Sequence, residues 1–137
     1  MIKVQTLGMY DVAKNTPVLK SASAVANYSF LVDDGDQYVV MQSINGDDSY
    51  KEGITIPAGQ PINGFQLKAW DGQKLIIDGK HIDGTYATVS VTGTILVIDT
   101  ATGKIKVGTA PASGAYFVVK GTTTLTEAAV IAKVVVA

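Results

Sequence analysis

Three stretches of the chain share one design, that of a β-hairpin: apolar β-formers, a polar turn led by aspartate, then more β-formers. In the first, Tyr28-Ser29-Phe30-Leu31-Val32 enters Asp33-Asp34-Gly35-Asp36 and leaves through Gln37-Tyr38-Val39-Val40-Met41. In the second, Phe65-Gln66-Leu67-Lys68-Ala69-Trp70 meets Asp71-Gly72-Gln73 and then Lys74-Leu75-Ile76-Ile77. In the third, Thr94-Ile95-Leu96-Val97-Ile98 meets Asp99-Thr100-Ala101-Thr102-Gly103 and then Lys104-Ile105-Lys106-Val107. Glycine in each turn takes positive φ at no steric cost, and aspartate bonds the backbone just ahead of it. The flanking Val, Ile, Tyr and Phe suit a pleated, half-buried surface. An all-β protein follows, a small barrel or sandwich built from hairpins, with little helix.

Further strands are expected at residues 87–91, 115–119 and 129–136, and Val97 is expected in the core. Residues 57–64 and 108–114, rich in Pro, Gly and Ala, read as loops. The helical signals are a turn or two at residues 20–26 and a weaker one at 127–132. The first 24 residues have no clean period and contain Asn15-Thr16-Pro17, so they read as an extended arm or edge strand that a partner orders. Residues 25–137 hold no linker and form one β-rich core domain. The arm is expected to be dispensable for folding of that core.

Composition narrows the function classes. Cysteine is absent, so disulfides, thiolate nucleophiles and cysteine metal sites are excluded. Net charge is −1, and all eleven basic residues are Lys. Without Arg, the bidentate fork that reads phosphates and base edges is missing, so no nucleic-acid partner is expected. The beginning of the chain lacks the apolar run of a secretory signal, and the greasiest stretch, residues 128–137, is interrupted by Lys133 and too short to span a bilayer as a helix. A soluble protein with no membrane partner is expected. Hydrophobic residues make up 47% against 17% charged, so some apolar surface is expected to be buried against partners.

His81 is the single histidine, so one chain builds neither a catalytic triad nor a multi-His zinc site. It reads as a surface residue of the turn at residues 78–84. Ten Asp and two Glu leave room for a carboxylate-pair glycosidase, yet nearly all the Asp sit beside Gly or Asn where turn initiation accounts for them. The acidic patches Asp33-Asp34-Gly35-Asp36 and Asp47-Asp48 offer hard oxygens but not the spacing of an EF-hand. Gly103-Lys104 lacks the rest of a P-loop. No cofactor and no catalysis are expected. Trp70, the one tryptophan, either packs over the end of a small core or stands exposed as a stacking platform for a sugar.

The run Gly93-Thr94-Ile95-Leu96-Val97-Ile98-Asp99-Thr100-Ala101-Thr102-Gly103-Lys104 resembles a "G-x-v-l-x-x-D-x-x-T-G-K" phrase of the head decoration proteins of tailed bacteriophages. Ile56-Pro57-Ala58-Gly59-Gln60-Pro61-Ile62 is similar to their "p-A-G-x-p-l" element, and Leu67-Lys68-Ala69-Trp70-Asp71-Gly72 to a mid-chain turn of some of them. The resemblance spans roughly residues 55–137 and rests on turn-and-strand phrases. It implies a homotrimer, made in the host cytoplasm, that sits on the outer surface of the expanded virion head. There it bridges copies of the major capsid protein, where many modest contacts made together multiply. On that reading Ile2, Val4, Leu7 and Tyr10 of the arm and Pro57 and Pro61 of the loop contact the capsid or neighbouring copies. The arm would add a strand to a capsid edge. Two other classes remain open: a carbohydrate-binding or fibre-head module using Trp70, and a self-assembling virion subunit such as a tail-tube component.

Overall fold

A computed structural model describes residues 1–5, 18–20, 23–41 and 53–137. Two of the three expected hairpins form. Strands β4 (Ser29–Asp33) and β5 (Asp36–Val40) pair antiparallel with Asp33 opposite Asp36. Their two-residue turn sets Asp34 at φ 50° and Gly35 at φ 79°. Two successive positive φ values define the turn whose twist matches that of the strands it joins. Strands β10 (Ile95–Asp99) and β11 (Lys104–Val107) pair the same way. Here the Asp99 carboxylate accepts from the Ala101 amide at 3.1 Å, and the Asp99 carbonyl accepts from Gly103 at 2.9 Å.

The expected second hairpin does not form. Strand β7 (Pro61–Gln66) is followed by a 3₁₀ turn at Leu67–Trp70, and β8 (Lys74–Asp78) enters a different sheet. Leu67 and Trp70, three residues apart, are both buried, so the turn carries the chain across the core. A 3.0-residue period and a short apolar run look alike in sequence, which is why the segment reads as a strand. Pro61 to Gly64, expected as loop, open β7 instead.

Thirteen strands fall into three sheets among the described residues. The largest has the order β1-β8-β13-β12-β10-β11-β9, where β1 is Ile2–Val4, β9 Ile82–Asp83, β12 Ala115–Thr124 and β13 Ala128–Val136. All its pairings are antiparallel except β11 with β9. The second sheet runs β2-β7-β5-β4, with β2 at Val18–Lys20. The third is a ribbon of β3 (Val25–Ala26) and β6 (Thr55–Ile56). The architecture is an all-β sandwich with no closed barrel.

The core shows how the layers stack. Phe30, Val39, Phe65, Leu67 and Trp70 meet Leu75, Ile77, Leu96, Ile105, Phe117, Val119 and Val134 from the large sheet in one buried cluster. Val40 and Ile62 instead join Val25 and Ile56 of the ribbon in a second cluster. Val39 and Val40 are neighbours, and alternation sends them to opposite faces. The four-stranded sheet is therefore covered on both sides, by the large sheet and by the ribbon. The seven-stranded sheet is covered on one, among the described residues.

Four expectations change. Residues 86–89 form a single helical turn, Tyr86–Val89, whose Val89 reaches the core. Val25–Ala26 and Val18–Lys20 are strands, so the helical signal at residues 20–26 does not hold where the structure describes it. The weaker signal at 127–132 is overridden by the pairing of β13 with both β12 and β8. Val97 sits on the outer face of its sheet, and its neighbour Leu96 is fully buried. Leu96→Asp should therefore abolish folding by burying an unpaired charge. Val97→Asp should stay soluble, with a native far-ultraviolet spectrum and a cooperative melt.

Candidate functional site

The residues singled out in the sequence scatter across the molecule. Ile2 is 2% exposed and belongs to the main core, paired with Ile77, while Val4 lies opposite Leu75. The first strand is thus an edge strand of the large sheet. Ile2 is not free to contact a capsid, and removing residues 2–20 would take two strands from the fold. Leu7 and Tyr10 lie outside the described residues, as do Asp47 and Asp48. Pro57 and Pro61 are exposed and bracket a turn between β6 and β7, closed by the Gln60 amide on the Pro57 carbonyl at 3.2 Å. Trp70 is 6% exposed and lies face to face with Phe65, with ring centroids 5.6 Å apart. That packing removes the exposed platform a sugar would need, so the stacking role of Trp70 is withdrawn.

Several of the described carboxylates serve local structure. Asp36 pairs with Lys68 at 3.2 Å, Asp71 accepts from the Val136 amide at 3.1 Å, and Glu127 accepts from the Lys80 amide at 2.9 Å. No group of three or more His, Cys, Asp or Glu is placed to hold a metal among the described residues.

His81 is not the plain surface residue expected from its turn. It belongs to a cluster around Asp78, a fully buried carboxylate. The Met1 amino group donates to Asp78 Oδ2 at 2.7 Å and lies 3.0 Å from His81 Nε2. Asp78 also accepts from the Thr126 hydroxyl and from the Thr126 and Glu127 amides at 3.2 and 3.3 Å. Burial alone would raise the Asp78 carboxyl, but the amino group, the Thr126 hydroxyl and the Glu127 amide together hold it below its usual range. Burial, aided by the Met1 and Lys80 charges and opposed by Asp78 and Glu127, pushes His81 down to about 4. The ammonium is a donor, so its contact with Nε2 is a hydrogen bond only while that nitrogen is unprotonated. The cluster clamps the end of β1 onto β8 and the segment before β13. The signal for it in the sequence is Asp78 itself, a carboxylate directly after the apolar run Leu75-Ile76-Ile77.

A cavity of about 240 Å³ opens beside this cluster, lined by Asn27, Tyr28, Lys80, His81 and Lys104 among others. Tyr28 sits at φ 58°, a rare backbone for an aromatic residue, and its ring lies 6.0 Å from that of His81.

A second surface feature is the outer face of the large sheet, which no other described element covers over most of its extent. Register and alternation define it row by row, because directly opposed residues share a face. Lys3 opposes Ile76, which opposes Ile131. Lys74 opposes Lys133, which opposes Val118, which opposes Ile95. Val135 opposes Tyr116, and Val97 opposes Lys106. At one end the face closes where Asp78 opposes Ala129, both fully buried. Lys3, Lys74 and Lys106 are exposed, as is Lys120, the extra residue where the β12–β13 register shifts. The apolar members are half-buried. Lys106 reaches Asp99 at 3.8 Å, whereas Lys3, Lys74, Lys120 and Lys133 form no ion pair among the described residues.

Comparison of the chain with protein-family models, with curated proteins and with solved structures finds no match in any of the three.

The Asp78 cluster has a pH signature. Above pH 6.5 His81 is neutral folded or unfolded. As pH falls from 6.5 toward 4, the unfolded chain takes up a proton that the folded chain refuses, so stability drops across that window. Asp78, depressed when folded, adds its own loss only below the ordinary carboxylate range. The urea midpoint should fall between pH 7 and 4.5, and His81→Gln should flatten that fall. Asp78→Ala should cost about 1–3 kcal/mol at pH 7, since it removes the acceptor shared by the half-buried Met1 amino group, the Thr126 hydroxyl and the Thr126 and Glu127 amides.

Proposed function

We propose that this protein is a non-enzymatic virion structural protein that binds the outer surface of an expanded phage capsid and cements neighbouring capsid subunits. The observation that carries this reading is the uncovered face of the seven-stranded sheet. Half-buried Ile76, Ile95, Val118, Ile131 and Val135 are spread over four adjacent strands of it. An apolar face of this breadth on a domain whose second sheet is covered twice suits contact with a large assembly. The turn phrases of residues 55–137 that resemble head decoration proteins support the same reading, and on it the exposed loop carrying Pro57 and Pro61 would be a second contact point. Binding through several copies at once, as in a trimer, would multiply modest contacts.

Mixing the purified protein with expanded heads that lack it, then imaging by cryo-EM, tests the proposal. The expected result is saturable occupancy at fixed lattice positions, with little binding to unexpanded heads. Absence of binding to either head form would overturn it. Filaments of the purified protein alone would favour a self-assembling tail-tube-like subunit, since an open head-to-tail contact propagates where a closed oligomer stops.

A further inference from the structure

One part of the uncovered face is electrostatically unfinished. Lys74 and Lys133 stand directly opposite each other on adjacent antiparallel strands. Like charges in that relation repel across about 5 Å of sheet. Lys3, opposite Ile76, lies one diagonal step from Lys74. No carboxylate lies in these rows until Asp78, which is fully buried and saturated with donors. The chain as a whole carries a net charge of −1, so this cationic patch runs against its overall balance.

We infer that the patch formed by Lys3, Lys74 and Lys133 around Ile76, Ile131 and Val118 is a docking surface for a protein surface of opposite charge, with carboxylates around an apolar centre. Resting on the capsid reading above, this assigns the outer face of the large sheet, Lys3 of the first strand included, and neither the buried Ile2 nor Trp70, as the face turned toward the head. Charge complementarity selects the occupant. A second copy docked two-fold on the same face would set lysine against lysine, the wrong sign for a self-complementary contact. A nucleic acid would find lysines but an aliphatic centre, where single strands need rings to stack on. A carboxylate between Lys74 and Lys133 relieves their repulsion at the moment of binding. The pair therefore discriminates among partners as well as attracting them.

The experiment uses the full chain and expanded heads, with binding measured by co-sedimentation at about 0.15 M salt. Lys74→Glu and Lys133→Glu should each weaken binding about tenfold or more, and Ile131→Ser should weaken it as well. Lys68→Glu, whose lysine pairs with Asp36 on the other sheet, is the control and should stay within twofold. Wild-type binding should weaken steeply as salt rises. Lys74→Glu should also raise the melting temperature by about 1–3 °C, because it turns a repulsive cross-strand pair into an attractive one. Tighter folding with weaker binding is the signature of a functional conflict, and a purely structural lysine would not give it. If the wild type and both reversals bind heads equally, the face assignment is overturned and the capsid reading stands. If the wild type fails to bind heads, the capsid reading falls and this inference falls with it. Equally tight, lysine-dependent binding to plasmid DNA or to phosphatidylserine vesicles would overturn the choice of a protein partner.

Discussion

Phe30 of the four-stranded sheet and Phe117 of the seven-stranded sheet meet edge to face, with ring centroids 5.4 Å apart. Both are buried, and the layers on either side are organised by the contact they make. Alternation then does the rest: once Phe117 points inward, Tyr116 and Val118 point outward, and the register with β13 and β10 carries that choice across three strands. The same logic on the other sheet sends Val39 inward and Val40 toward the ribbon. One sheet thus becomes a middle layer and the other an outer one. The interior is aliphatic and aromatic almost throughout; its buried polar residues among those described are Asn27, Ser29 and the one charged group, Asp78, which is met by four donor groups. A buried carboxylate is tolerable only with that degree of satisfaction.

Much of this was legible in the residues. The all-β class follows from recurring turns, and two hairpins fall where Asp and Gly place them. The 3₁₀ turn at Leu67–Trp70 was not legible, because buried residues three apart on a short run look like either a strand or a turn. The helical turn at Tyr86–Val89 was hidden by its Thr and Val, which favour strands until tertiary packing draws Val89 into the core. Long-range facts were out of reach. Nothing local says that Met1 meets Asp78, seventy-seven residues away, or that Lys74 meets Lys133. The candidate site was legible only in part. Burial of Trp70 agrees with packing at a core end, whereas the placement of Ile2 shows that an apolar residue near a terminus is as ready to complete a sheet as to reach for a partner.

The strand β13 shows why the outer face is hard to read from sequence. Its sequence, Ala-Ala-Val-Ile-Ala-Lys-Val-Val-Val, is nearly continuous in apolar character. Such a run ordinarily marks a strand buried on both faces. Beyond Ala129 the described residues cover one face: Val130, Ala132 and Val134 are fully buried, while Ile131, Lys133 and Val135 are partly exposed. Apolar residues on both faces of a strand with one covered face are a surplus, and the surplus calls for a cause.

Solubility is the plainest alternative account of the lysines, since charged residues commonly interrupt aggregation-prone strands. The positions argue against that being their whole role. Lysine guards best on an edge strand, where unpaired backbone groups invite another chain. Lys74 and Lys133 sit instead on β8 and β13, interior strands already paired on both sides. A guard placed there has no open backbone to protect, and two guards placed opposite each other spend folding stability on mutual repulsion. An Ile76-to-Ile131 centre flanked by that repulsion is better suited to a surface that brings its own negative charge than to water alone.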